Sequence, residues 1–208
     1  MYNTDLVCRI LETINQEVCM KKQLDGANCL YPMPTVLVGT VVDGNPNFLA
    51  IAHVGIMNFA TPHYISISSA KIHYSNRGIA ENGTFSVNIP SEDMVTATDY
   101  CGIKSGKKTD KSKMFELFHG ELNAAPMIQA CPVTMECRLY QTVDFKTHDL
   151  FIGEIVQTYV EESVLTEGAV DFAKVKPMLF DMPRKKYWRL GEPFADCWQI
   201  GLAWKPEE

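Results

Sequence analysis

Nothing in this chain is both long and apolar enough to cross a bilayer as a helix. Its longest uncharged apolar stretch, Phe48 to Ala60, is interrupted by His53, Gly55 and Asn58, whereas a span needs about 20 predominantly apolar residues. The first residues set Asp5 and Glu12 among their apolar positions and offer no apolar core followed by a small-residue cleavage site. Neither a signal peptide nor a membrane partner is expected. Cations are in deficit, with 19 Lys and Arg against 25 Asp and Glu and a net charge of −6. Nucleic acid, which demands clustered positive charge, is not an expected partner.

The motifs of several chemistries are missing too. The 7 cysteines (Cys8, Cys19, Cys29, Cys101, Cys131, Cys137 and Cys197) form no C-x-x-C pair. Their number is odd and the chain is too long for a disulfide scaffold, so free thiols in a reducing cytoplasm are expected. The 5 histidines (His53, His63, His73, His119 and His148) show neither H-x-x-x-H nor H-E-x-x-H, which removes the usual sequence signs of a metal centre. No G-x-G-x-x-G, no P-loop and no G-x-S-x-G occur. A Rossmann site, a nucleotide hydrolase and a serine-hydrolase elbow are unsupported. If the chain is an enzyme, its hard chemistry belongs to a cofactor.

What is present suits a globular core. At 208 residues and 46% hydrophobic, a chain buries roughly 70% of its unfolded surface without staples. One domain over 1–208 is expected, with an N-terminal helix over about 4–20 and a loop-rich tail over about 175–208. The helix rests on Leu6, Val7, Ile10, Leu11, Ile14 and Val18 at helical period, after Thr4 and Asp5. The period then falls to two. Thr35–Val42 and 47–55 flank the turn Asp43-Gly44-Asn45-Pro46 as a hairpin. Strands are expected at Tyr64–Ser69 and Thr84–Ile89, a short helix over 74–82 stopped by Gly83, and a long hairpin from 133–142 and 150–160. Short strands without β-α-β alternation point to an antiparallel barrel, closed or partly open.

Four segments fall in a telling order: Pro32-Met33-Pro34 into Val36–Thr40; Asn47–His53; Ile65–Lys71, a short helix and Phe85-Ser86-Val87-Asn88; and His148–Ile155, followed by Tyr187 and Leu190-Gly191. This order resembles the flavin reductase-like split-barrel family, and Tyr100-Cys101-Gly102 with the lysines after it is similar to the flavoredoxin branch. The resemblance implies a mainly β fold with peripheral α, a six-stranded antiparallel Greek-key split barrel. It also implies a homodimer, FMN bound near the subunit interface, and electron traffic between NAD(P)H or a redox protein partner, flavin and an acceptor. Related split barrels hold haem or another ligand without turnover; for such a binding protein His53, His73, His119 and His148 would be the axial candidates.

An FMN site makes two separate demands. Its dianionic phosphate needs N–H donors, hydroxyls and a cation, and the junction Ser68, Ser69, Ala70, Lys71, Tyr74, Ser75 offers hydroxyls, one ammonium and a helix start. The same residues read equally well as a helix cap and a solvated lysine. The flat ring needs close backbone approach, for which the slim run Ala50, Ala52, His53, Val54, Gly55 is suited. The alternative is a buried strand with His53 as a hydrogen-bonded core histidine. Asn88 closes the F-x-V-N segment. Cys101, Gly102 and Lys107 begin a lysine-rich, glycine-containing loop that would close over a ligand, or simply stay solvated. Nearby lysines would lower the Cys101 thiol's pKa. Hydride transfer to a flavin needs no protein nucleophile, so no catalytic side chain is expected, and Asp149 and Glu154 read as rim charges of the hairpin.

Overall fold

The computed structural model describes residues 21–204. The chain divides into Met1–Leu30 and Tyr31–Glu208; the helix expected over 4–20 lies outside the described residues. Everything below concerns the larger unit.

Its frame is one antiparallel sheet. β1 (Val36–Val42) and β2 (Asn45–Ile51) form the expected hairpin. β3 (Val54–Ile56) and β4 (Tyr64–Ala70) form the next, and α1 (Ser75–Asn82) carries the chain to β5 (Thr84–Ile89). After α2 (Val95–Ile103) come the long partners β6 (Val133–Asp144) and β7 (His148–Val160). The order across this seven-stranded sheet is β2-β1-β5-β6-β7-β4-β3. Its edges, β2 and β3, are consecutive in the chain and joined only by Ala52 and His53. Laid flat, seven strands would be roughly 29 Å across, while the step from Ile51 to Val54 reaches at most about 11 Å. The sheet must therefore curl until its edges meet, which makes a half-barrel.

The strand count corrects the expected six. Residues 47–55 read as one strand, but the chain turns tightly at Ala52–His53, where Val54 N donates to Ala52 O at 3.0 Å, and then pairs on β4, with His53 O accepting from Ser68 N at 2.8 Å. One expected strand becomes two, on opposite edges.

Alternation assigns the faces. Val36, Val38, Leu49, Ile51, Ile65, Ile67, Phe85, Val87 and Phe151 point into the barrel with Ile79 of α1, each burial worth ~1.5–3 kcal/mol. Leu37 and Phe48 point outward into a second cluster with Cys101 of α2, Ile128 and Cys131. The tail was expected to be loops with at most a short strand; instead β8 (Met178–Asp181) and β9 (Lys186–Arg189) pair, and Met33–Pro34 adds a third strand. Thr35 N donating to Met178 O at 2.9 Å fixes that small sheet to the start of β1. No helix among the described residues is long and apolar enough to cross a membrane.

Candidate functional site

The barrel seam opens a cleft. Ala50 and Ile51 end β2, Ala52 and His53 make the turn, and Ser68 and Ala70 come from β4. α2 adds Asp99, Gly102 and Ile103, the tail sheet adds Phe180, Met182 and Tyr187, and the space is about 400 Å³. That lies within the usual range of small-molecule sites. Four of its walls are slim, Ala50, Ala52, Ala70 and Gly102, which leaves a slot suited to a flat, largely apolar ring. Thr35 also lines it, and its buried Oγ1 has no hydrogen-bond partner among the described residues.

Three histidines converge on the slot: His53, His73 and His148. His53 Nε2 lies 3.3 Å from the Tyr31 hydroxyl, and the His53 and His148 rings are 5.9 Å apart. Burial first and His148 second push His53 below the ordinary histidine range. At the far wall the Tyr187 hydroxyl donates to Asp99 Oδ1 at 2.9 Å, and burial, then Asp99, push its pKa up to about 12. Tyr187 therefore stays a neutral donor, with its proton committed to Asp99.

A second cleft of about 250 Å³ shares His73, Gly102 and Ile103 with the first. It is polar. Its walls include Asn47, Tyr74 and Ser75, then Lys104, Gly106 and Lys111 from beyond α2. Ser75 opens α1 as its first helical residue, and no side chain caps that helix. Asn47 Nδ2 donates to Ser75 Oγ at 2.7 Å, both groups being buried. The hydroxyl accepts there and donates to nothing among the described residues, so its own proton is free for a ligand.

Lys111 is the unusual group. Its side chain is buried, with the residue 2% exposed. Nζ donates to Cys101 O at 3.2 Å and Lys104 O at 3.0 Å, the last carbonyls of α2. Capping a helix C-terminus meets only about half a negative charge. Among the described residues Lys111 makes no ion pair, and burial pulls its pKa below the ordinary lysine range. An ammonium has three donors, and two are used. A buried charge left without a counter-ion is costly, and an anion in the second cleft would relieve it.

Of the residues expected from sequence, Ala50, Ala52, His53, Ser68 and Ala70 line the first cleft, Tyr74 and Ser75 the second, and Gly102 both. Others are placed elsewhere. Lys71 is bound by Asp144 and Asp149 on the β6–β7 hairpin, so its charge is already met, and it lines neither cleft; the buried lysine that lines the second cleft is Lys111. Ser69 points into the barrel, where its hydroxyl is spent between Asn76 and His73. Val54 and Gly55 pair with Ile67 and Ser66, away from both clefts. Asn88 is a structural tie, donating to Leu37 O at 2.9 Å and accepting from Ile128 N at 2.9 Å.

The expected loop starts later than the sequence suggested, although its residues Lys104, Gly106 and Lys111 line the second cleft. Cys101 and Gly102 sit in the last turn of α2. The Cys101 thiol is fully buried in the apolar cluster under that helix. Burial raises its pKa, and the smaller influence of Lys111 lowers it, which reverses the direction that the lysine run implied. Lys107 is exposed and lines neither cleft. The sequence reading missed Thr35, Asn47, Asp99, Lys111 and Phe180 as wall residues.

Comparison with known proteins places this architecture. A family model described as "Flavin reductase like domain" matches residues 28–187. Flavoredoxin from Methanosarcina acetivorans superposes with a TM-score of 0.85 at 43% identity, covering 88% of this chain and 97% of that one. Flavoredoxin of Desulfovibrio vulgaris (Miyazaki F) gives 0.80 at 37% identity, over 88% and 100%. An uncharacterized protein of Pyrococcus abyssi is 28% identical over 141 residues, 67% of this chain and 81% of that one. A curled antiparallel barrel with its cleft at the seam, matched by the family model over most of its length, belongs to the flavin reductase-like family.

Proposed function

We propose that the two clefts together hold FMN, and that the protein is an FMN-dependent oxidoreductase or electron carrier. The observation that carries this is Lys111, a buried ammonium with no carboxylate partner among the described residues, beside the free Ser75 hydroxyl proton and an uncapped helix start. That set suits a phosphate dianion. The adjoining slot of small residues suits a ring. Haem would take an axial ligand from His53, His73 or His148 in the first cleft, and its propionates would also answer Lys111, so the optical spectrum separates the two readings; His119 lines neither cleft.

When bound, FMN supplies two-electron acceptance from a hydride donor and release in one- or two-electron steps. The protein's part is to bind and orient it. Ala50, Ala52, Ala70 and Gly102 keep the slot narrow, α2 and the tail sheet wall it from water, and neutral His53 adds no charge. NAD(P)H as hydride donor is part of this reading, with a redox protein as the other source of electrons. The homodimer implied by the resemblance is supported by Ile56 at the end of edge strand β3 and Phe59 in the connection after it, 83% and 96% exposed.

Purified protein should carry a flavin spectrum, or acquire one on reconstitution with FMN, and lose it on anaerobic addition of NADH or NADPH. A flavin spectrum bleached only by dithionite would leave a carrier fed by another protein. A Soret band, or failure to take up FMN, would overturn the reading. Lys71 offers a further check: with its ammonium held by Asp144 and Asp149 at the surface, Lys71→Ala should change FMN affinity by less than about twofold in a fluorescence titration.

A further inference from the structure

His73 stands where the two clefts meet, and its hydrogen bonds determine which nitrogen carries the proton. Asn76 Nδ2 donates to Ala70 O at 3.0 Å, which makes Asn76 Oδ1 the outward acceptor of that amide. Ser69 Oγ lies 2.5 Å from this Oδ1 and must donate to it, because an amide oxygen has no proton to give. A hydroxyl has one hydrogen. Towards His73 Nδ1, at 3.0 Å, Ser69 can therefore only accept. Neutral His73 is thus the Nδ1–H tautomer, and its Nε2 presents a bare lone pair with no protein donor among the described residues. Burial first, then the titratable groups His148 and Lys111, hold its pKa below the ordinary histidine range, so the neutral form persists at physiological pH.

A ligand with its ring in the first cleft and its phosphate beside Lys111 runs its connecting tail past this junction. In FMN that tail is a polyol, a row of hydroxyl donors. Resting on the FMN reading, we propose that His73 Nε2 accepts a hydrogen bond from a tail hydroxyl, so that His73 selects flavins by their side chain while Lys111 selects them by their phosphate. The chain Ala70 O, Asn76, Ser69, His73 is the positioning relay that keeps the acceptor turned to the ligand.

The test is a fluorescence titration of the apoprotein with FMN, riboflavin, which keeps the polyol but lacks phosphate, and lumiflavin, which lacks both. Wild type should bind riboflavin more tightly than lumiflavin. His73→Phe should lower that ratio by roughly threefold to tenfold, the range of one net hydrogen bond. It should leave the FMN-to-riboflavin ratio unchanged. His73→Gln, with an amide oxygen within reach of the same point, should restore most of the loss. A riboflavin-to-lumiflavin ratio unaltered in His73→Phe, with FMN still bound, would overturn the inference and leave the FMN reading intact; wild type that binds none of the three overturns both. Imidazole nitrogen NMR on wild type needs no variant. Nε2 should be unprotonated in the apoprotein at neutral pH and should shift on adding riboflavin but not lumiflavin, whereas a proton found on Nε2 refutes the assignment.

Discussion

Lys111→Met should weaken FMN binding by roughly 30-fold or more, the ~2 kcal/mol lower end for truncating one partner of a buried charged pair, and should leave riboflavin binding nearly unchanged. Methionine keeps much of the stem's volume but removes the charge. Calorimetric titration with the two flavins separates the phosphate's contribution from the ring's. Melting temperature should move little, since the lost bonds to Cys101 O and Lys104 O are offset by removal of a desolvated cation. The same side chain sets a pH dependence. Burial lowers its pKa, so as pH rises through that lowered value the ammonium loses its proton and FMN affinity falls. Affinity falls again below the second ionisation of a phosphate ester, near about 6. Riboflavin should show neither limb from this pair. Equal losses for both flavins in Lys111→Met would place the phosphate elsewhere.

That lysine also shows where sequence reasoning stops. The strands were legible because half-buried strands alternate and because Asp43-Gly44-Asn45-Pro46 is a strong turn; Gly83 ends α1 with φ 64°, as a stop glycine should. α2 was not legible. It is short, carries Thr96, Thr98 and Asp99, and buries only Thr98 and Cys101, too sparse a stripe to show helical period. Missing α2 hid Lys111, because in sequence the lysines of 104–113 are alike, whether the loop closes over a ligand or stays solvated, and only the helix terminus gives one of them a reason to be buried. Lys71 failed in the other direction: a cation beside a helix start reads as a phosphate ligand until the β6–β7 hairpin brings Asp144 and Asp149 to it. Local residue type pointed to a cation and a hydroxyl near the start of α1, and long-range pairing shows that Lys71 is engaged elsewhere while Lys111 and Ser75 share the second cleft. The slim ring-side wall was readable for the same local reason, except that the turn at Ala52–His53 carried Val54 and Gly55 to the opposite edge.

Gly39→Ala should be the most disruptive methyl addition in the barrel. Gly39 pairs with Phe48 on one side and Ser86 on the other, and the Pro126–Ile128 segment crosses directly over it. A Cβ there would run into Pro126 O and would lie 2.5 Å from Ser86 Oγ and 2.7 Å from Phe48 Cε1. Neither the carbonyl nor the packed ring can withdraw easily. Overpacking costs about 1–3 kcal/mol, and displacing Ser86 from the Pro126 carbonyl it donates to adds about 1–3 kcal/mol for buried groups left unpaired. Together these are a large share of the ~5–15 kcal/mol that holds a domain folded, and a melting temperature lower by roughly 6 °C or more is expected. Gly55→Ala is the control. Its Cβ would meet only Ser66 Oγ, at 3.5 Å, so both melting temperature and FMN affinity should stay close to wild type. A drop at Gly55 as large as that at Gly39 would mean that the outer edge of β3 is covered, and the exposed Ile56 and Phe59 beside it make a second copy of the chain the first cover to look for.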